Sequence, residues 1–406
     1  MTFKPDTLAL TVLLGILTAL GPLATDMYLP SLPALTEGFG ATPAQGQLTL
    51  SAFLVGFAST QIFYGPLSDR YGRKIMLLAG LIIFVVGSLL CALAPSLPVL
   101  IAARVLQAIG AAGPIVLARA VARDLYSGRR AGVELARMAT IMGIVPMVAP
   151  LAGAFIALSF GWRGTFVAAS GLGIVLVVMV MLRLPETRPD SDAPSTPLGM
   201  LRVFGQLIRN PVFLVYAALV CMSYSGIFTF ISVSSFILQG VYGMTPMLFG
   251  AAFGFCSFAY ILGTIAGRRI TGRFGIDAGI ALGIVLMAAG GALMIVVIQA
   301  DFGGAHAVIA ASAIFFAGNG STLPQATAGT LMPFPDKAGA ASSLMGVCQM
   351  VSAALVGIAV AALLDANLFD HQAMPLAVGF CVLGLSAIAI YLVGRPVRTA
   401  ARAGEI

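Results

Sequence analysis

The chain reads as a succession of long apolar runs separated by short polar breaks, not as alternating apolar and polar positions. A helix needs about 20 mainly apolar residues to cross the hydrocarbon core of a bilayer. Twelve runs meet that length. Six lie at residues 8–33, 45–67, 75–94, 98–121, 137–159 and 165–184. Six more lie at 211–237, 247–267, 276–299, 305–330, 339–364 and 375–394. Spanning strands would be shorter and would alternate, so the runs predict helices. The expected fold is an all-α membrane protein with twelve transmembrane helices in two six-helix bundles.

The longest polar stretch, Leu184 to Pro211, carries four prolines before Arg209 and falls near the middle of the chain. Its composition suggests a linker. The expected division is a first bundle at 1–187, a cytoplasmic linker at 188–210 and a second bundle at 211–406. An internal echo supports it: Ser68-Asp69-Arg70-Tyr71-Gly72 after the second run resembles Thr271-Gly272-Arg273-Phe274-Gly275 after the eighth. Internal duplication of this kind is common in transporter folds.

Composition agrees with a lipid-facing surface. Charged residues make up 9% of the chain and hydrophobic residues 59%, whereas a soluble domain carries roughly a quarter charged residues. The net charge of +7 comes from short basic clusters between apolar runs, so nucleic acid is not an expected partner. All but two of the 22 Lys and Arg fall on one side of the array or at helix ends facing it; the exceptions are Arg104, inside a run, and Arg163. Basic residues favour cytoplasmic loops, which puts both termini in the cytoplasm. The outward loops hold Glu37, Asp301, Asp365 and Asp370. Lys4 precedes an apolar run, Leu8 to Ala24, longer than a usual signal-peptide core; it reads as a retained first span.

Enzymatic chemistry has no support. The five cysteines, Cys91, Cys221, Cys256, Cys348 and Cys381, stand singly in apolar stretches and lack metal or redox spacing. His306 and His371 are far apart. No phosphate loop, nucleophile elbow or dinucleotide fingerprint is present, and neither a metal nor any other cofactor is expected.

Three segments carry chemistry. In Gly65-Pro66-Leu67-Ser68-Asp69-Arg70-Tyr71-Gly72-Arg73-Lys74, Gly65 and Gly72 permit a tight turn, and Gly72 tolerates positive φ. Asp69 is placed to accept hydrogen bonds from helix N-terminal amides. Arg73 can grip a carboxylate with its planar fork. Together they suit a latch between the bundles on the cytoplasmic side. Arg104, inside the fourth run, needs a cavity or a partner. Asp26 is the acidic residue lying well inside an apolar run. At 1.5 Å per residue Arg104 lies about 9 Å and Asp26 about 10 Å from the same face, so the two are expected to face each other. A carboxylate so placed can exchange a proton as substrate or water rearranges around it. In the fifth run, Pro146 and Pro150 with Gly143 and Gly153 predict a pliant, closely packed helix.

These segments resemble signatures of the major facilitator superfamily. The first is similar to its loop Gly-x-Leu-Ala-Asp-Arg-x-Gly-Arg-Lys, with Ser68 in place of Ala. Arg104-Val105-Leu106-Gln107-Ala108-Ile109-Gly110 resembles its helix-four Arg-x-x-Gln-Gly-x-Gly signature, which is tied to proton transfer, with Ala108 replacing a glycine. Gly143, Pro150 and Gly153 fit its exporter signature, where Ala149 and Ala154 replace glycines. Asp26-Met27-Tyr28-Leu29-Pro30-Ser31, Arg123-Asp124-Leu125-Tyr126 and Gly161-Trp162-Arg163 are similar to the Bcr/CflA branch of drug:proton antiporters.

The resemblance implies export by alternating access of small amphipathic drugs, such as bicyclomycin and chloramphenicol relatives. A proton gradient would drive it across a bacterial inner membrane. It implies proton coupling at Asp26 and Arg104, and a latch of Gly65, Asp69, Arg70, Gly72, Arg73 and Asp124 in which Arg73 pairs with Asp124. Tyr28, Gln107, Tyr224, Phe228, Phe253, Tyr260, Asn319, Gln325 and Gln349 are expected to line the substrate cavity, since aromatic and polar side chains suit an adaptable pocket. The expected partners are substrate, protons and lipid, with one chain acting as a monomer. The alternatives are a same-fold transporter of a metabolite such as an amino acid or sugar, and a membrane receptor or assembly protein without transport.

Overall fold

The computed structural model describes residues 7–187, 197–334 and 337–403, and among these it is helical throughout with no strand. Helices α1 (Leu8–Asp26), α2 (Leu32–Gly38), α3 (Pro43–Tyr71), α4 (Arg73–Leu93), α5 (Leu97–Leu125) and α6 (Gly128–Arg183) come first. They are followed by α7 (Pro197–Ile208), α8 (Pro211–Ser235), α9 (Pro246–Phe274) and α10 (Ile276–Gln299). The last are α11 (Gly304–Leu331), α12 (Ala338–Asp365), α13 (Met374–Val393) and α14 (Arg395–Ala403). A 3₁₀ turn, Leu29–Ser31, joins α1 to α2, and α8 continues into a π-helical turn, Phe236–Val241.

Eleven continuous helical segments among the described residues are long and apolar enough to cross a membrane. One of them is two spans in a row. At 56 residues α6 would be about 84 Å long, far more than a hydrocarbon core of about 30 Å. It breaks at Gly161, whose φ of 69° and ψ of 177° leave the helical region and suit a residue without Cβ. The halves 128–160 and 162–183 therefore make the fifth and sixth spans, and the total is twelve.

The chain forms two compact units, Met1–Ala41 with Leu48–Pro197, and Thr42–Gln47 with Leu198–Ile406. Within the segment read as a linker, 188–210, helix α7 covers Pro197–Ile208 and buries Phe204 and Leu207. Residues 188–196 lie outside the described residues, as does Lys4.

Lipid supplies little hydrophobic drive between spans, so close backbone approach at small residues holds them together. In the first unit α4 crosses α5 at Gly87 and Gly110: a Cβ on Gly87 would stand 2.6 Å from Gln107 Cα, and one on Gly110 would strike the Phe84 backbone. In the second unit α10 and α13 meet at Gly291 and Gly384, each against the other helix's backbone. Large apolar side chains remain exposed along the spans, Phe155, Leu158 and Val178 among them, as a lipid-facing surface requires.

Gly110→Ala should therefore overpack the α4–α5 crossing and cost about 1–3 kcal/mol. Gly143→Ala, with nothing within 4 Å of the added methyl, should be neutral or stabilising. Thermal melts of the purified protein in detergent check this, and equal losses at both positions would contradict the packing scheme.

Candidate functional site

Arg104 is fully buried in α5 of the first unit. Its Nη1 donates to Gln107 Oε1 at 2.6 Å and to the Ala24 carbonyl at 3.3 Å, and its Nε donates to the Thr49 carbonyl at 3.3 Å. The Ala24 acceptor exists because α1 stops at Asp26, and a helix end leaves its last carbonyls without amide partners. Three rings complete the enclosure, with the guanidinium carbon 4.4 Å from the centroid of Phe53, 4.7 Å from Tyr28 and 5.8 Å from Phe166. Each cation–π contact contributes about 0.5–2 kcal/mol, and each hydrogen bond from a charged donor about 1.5–3 kcal/mol. That offsets much of the several kcal/mol lost on taking an ion out of water.

A second layer orients the first. Gln107 Nε2 donates to Ser88 Oγ at 2.8 Å, and Ser88 Oγ donates to the Phe84 carbonyl at 2.7 Å. The Tyr28 and Thr49 hydroxyls share a hydrogen bond of 2.7 Å. Arg104 Nη2 has no hydrogen-bond partner among the described residues.

The expected Asp26–Arg104 ion pair is not formed. Asp26 is buried, at 5% exposure, but among the described residues its carboxylate meets neither a cation nor a hydrogen-bond donor. Arg104 instead meets the Ala24 and Thr49 carbonyls, the Gln107 amide and the Tyr28 ring. A second buried acid, Glu134, went unremarked in the sequence. It accepts from Thr11 Oγ1 at 2.8 Å and pairs with Arg137 at 2.6 Å, tying α1 to the start of α6.

Helix α6 lies along α1. A Cβ on Gly153 would collide with the Met27 carbonyl, so the signature glycine lets α6 touch the chain where α1 ends. Pro146 and Pro150 stay inside the helix, while Gly143 faces open space. Beside this contact lies an apolar groove of about 280 Å³, lined by Leu23 of α1, Met27 just past its end, and Ile141, Ile144, Val145, Val148, Ala149 and Ala152 of α6.

None of the residues assigned to a cavity from the sequence lines this groove. Tyr28 and Gln107 are committed to Arg104. In the second unit Phe253 sits in an aromatic cluster with Phe230 and Phe249, and Phe228 is buried. Asn319 accepts from Ser223 Oγ at 2.6 Å. Gln325 is buried, Tyr224, Tyr260 and Gln349 are half-buried, and the Gln349 carbonyl accepts from Ser352 Oγ.

At the turn between α3 and α4, Gly72 adopts φ 102° and ψ 146°. Gly65 is not part of this turn; it lies inside α3. Arg73 bridges Asp69 at 2.5 Å and Asp124 of α5 at 2.9 Å, and donates to Ser68 Oγ. Arg70 lies over the ring of Tyr71. The amides at the start of α4 are not taken by Asp69. They go to Glu186, just past α6, which accepts from Arg73 N at 2.8 Å and Lys74 N at 3.2 Å. A carboxylate there satisfies open amides and offsets two cations placed at the positive end of a helix. These contacts bind α3, α4, α5 and the segment after α6 within the first unit.

The Major Facilitator Superfamily model matches residues 14–357. An uncharacterized MFS-type transporter of Bacillus subtilis, YdgK, is 38% identical over 66% of this chain and 67% of its own length. A bicyclomycin resistance protein homolog of Haemophilus influenzae is 28% identical over 96% and 97%. The multidrug resistance protein MdtL of Shigella flexneri is 31% identical over 84% and 85%. Among solved structures, a bacterial homolog of the lysosomal transporter Spinster aligns with a TM-score of 0.75 at 16% identity, covering 97% of this chain and 98% of that one. A D-xylose-proton symporter aligns at 0.72 and 14%, covering 94% and 96%. With twelve spans, a signature turn built on Gly72 and Arg73, and a family match over most of its length, this chain belongs to the Major Facilitator Superfamily of membrane transporters.

Proposed function

We propose that the protein is a proton-coupled antiporter that exports small amphipathic molecules, of the bicyclomycin and chloramphenicol kind, across a bacterial inner membrane by alternating access. The observation that carries this reading is Asp26: a buried carboxylate that meets no cation or hydrogen-bond donor among the described residues, next in the chain to Met27, which lines an apolar groove. Arg104 is always cationic, so Asp26 is the member of the pair whose charge can change. Substrate settling against Met27 and a proton residing on Asp26 exclude one another, and export is thereby exchanged for proton entry. Arg104 acts as a fixed positive centre and not as Asp26's salt-bridge partner.

The groove supports amphipathic cargo, because its lining offers a hydrophilic metabolite no hydrogen-bonding group. Two relatives, a bicyclomycin resistance protein homolog and a multidrug resistance protein, point the same way by their names. The basic clusters around Arg73 and Arg130 support a cytoplasmic position for both termini. The proton gradient is the energy source, no cofactor takes part, and one chain supplies both units of a monomeric transporter.

In a pump-deficient bacterium, expression should raise tolerance to an amphipathic antibiotic, and a proton uncoupler should abolish the gain. Asp26→Asn should lower pH-driven export more than about tenfold, or about 1.4 kcal/mol, while the folded protein still binds substrate. Undiminished pH-driven export by this variant would remove Asp26 from the mechanism.

Asp69→Asn, at a half-exposed carboxylate on Arg73, should slow turnover several-fold. Glu186→Ala should cost about 1–2 kcal/mol of stability. Rates in proteoliposomes and melts in detergent check these, and wild-type values for both variants would contradict the positioning role of the turn.

A further inference from the structure

The turn between α9 and α10 echoes that between α3 and α4 and keeps an arginine, Arg273, at the place of Arg70, but it lacks the ion pair of Asp69 and Arg73. Gly275 holds the positive φ, at 87°, while Gly272 stands where the first turn has Asp69, and Ile276 where it has Arg73. The second unit fills the vacancy from elsewhere. Asp277, in the first turn of α10, accepts from the Tyr216 hydroxyl of α8 at 3.0 Å. Its Oδ2 lies 3.2 Å from Nε of Arg398 in α14, close enough for an ion pair although the angle falls short of a hydrogen bond.

The same arginine is fixed from two further directions. Arg398 Nη1 donates to the Tyr391 carbonyl at 2.6 Å, and its guanidinium carbon lies 3.9 Å from the centroid of the Tyr391 ring. The Tyr391 hydroxyl in turn donates to the Asp277 carbonyl at 3.2 Å. Arg398 is 2% exposed, unusual for an arginine five residues past the last span. The approach of α14 is equally close, since a Cβ on Gly394 would stand 2.6 Å from a methyl of Val215 in α8.

The two units thus solve one problem with opposite signs. In the first, cations open α4 and the segment following the sixth span brings the carboxylate of Glu186. In the second, an anion opens α10, where the helix field favours it, and the segment following the twelfth span brings the cation Arg398. A surface arginine gains little from an ion pair. Burying one against a tyrosine-held aspartate makes sense as a device that fixes geometry.

We propose that Asp277 and Arg398 are positioning residues of the transport cycle, and that α14 is a charge-inverted clamp on the α9–α10 turn. The clamp holds the start of α10 against α8 and α13, so the chain beyond the last span belongs to the transport machinery.

The test uses full-length protein with Asp277→Asn, Arg398→Gln, the double variant, and the exchange pair Asp277→Arg with Arg398→Asp. Ethidium export driven by a pH step is measured in proteoliposomes over a range of ethidium concentrations, and amide exchange is followed in residues 276–283. Each single variant should cut the maximal rate about fivefold with half-saturation unchanged, and the double variant should be no slower than either single. The exchange pair should recover part of the rate. Amides at 276–283 should exchange faster in the singles while those at 73–77 stay as in wild type.

An exchange pair as slow as the singles, a double loss equal to the product of the single losses, or unchanged protection at α10 would each overturn the clamp. If the wild type moves no ethidium, that counts against the function proposed above, and the exchange data still decide the clamp.

Discussion

A buried cation that meets no anion among the described residues is the constraint around which the first unit is built. Arg104 is held in a span by carbonyl dipoles, an amide and the faces of three rings, and each holder has a structural cost of its own. The Ala24 carbonyl is available because α1 ends at Asp26, the Tyr28 ring because the chain then turns through a 3₁₀ segment, and Gln107 because Ser88 fixes its amide. Gly153 in turn has no Cβ because α6 must pass the Met27 carbonyl where that break occurs. The aromatic cage, the helix break and the signature glycine of α6 are one arrangement.

The second theme is the way charged groups fix turns next to spans. A turn built on a glycine with positive φ leaves helix-opening amides and nearby charges to be satisfied. Glu186 accepts from the opening amides of α4, and at the start of α10 the charge of Asp277 is met by Arg398. Sequence duplication kept the glycine, the residue the backbone geometry demands, and let the charges move to other positions in the chain.

Much of the fold was legible because it depends on quantities that add along the sequence. Apolar length marks each span, and α6, which joins the predicted runs 137–159 and 165–184 into one helix, still resolves into two spans at Gly161. What failed depends on direction. Equal rises of about 9 and 10 Å placed Asp26 and Arg104 at one height, but rise says nothing about rotation about the helix axis, which advances about 100° per residue. A break in α1 right after Asp26 changed the direction further. Glu186 counted only as part of the polar stretch that begins at Leu184, because its partners Arg73 and Lys74 lie more than 100 residues away. Glu134 went unremarked because it lies ahead of the predicted run 137–159, whereas α6 begins at Gly128. The α1–α6 groove was missed because its lining is ordinary Ile, Val and Ala, while polar and aromatic residues had been taken as the mark of a cavity.

The central claim is that Asp26 changes its charge when substrate binds while Arg104 stays fixed in its enclosure. Proton release on adding substrate to purified protein in weakly buffered detergent solution tests it most directly. The expected result is release of protons by the wild type at a pH where Asp26 is protonated, and none by Asp26→Asn, which still binds. Equal release by both proteins would contradict it.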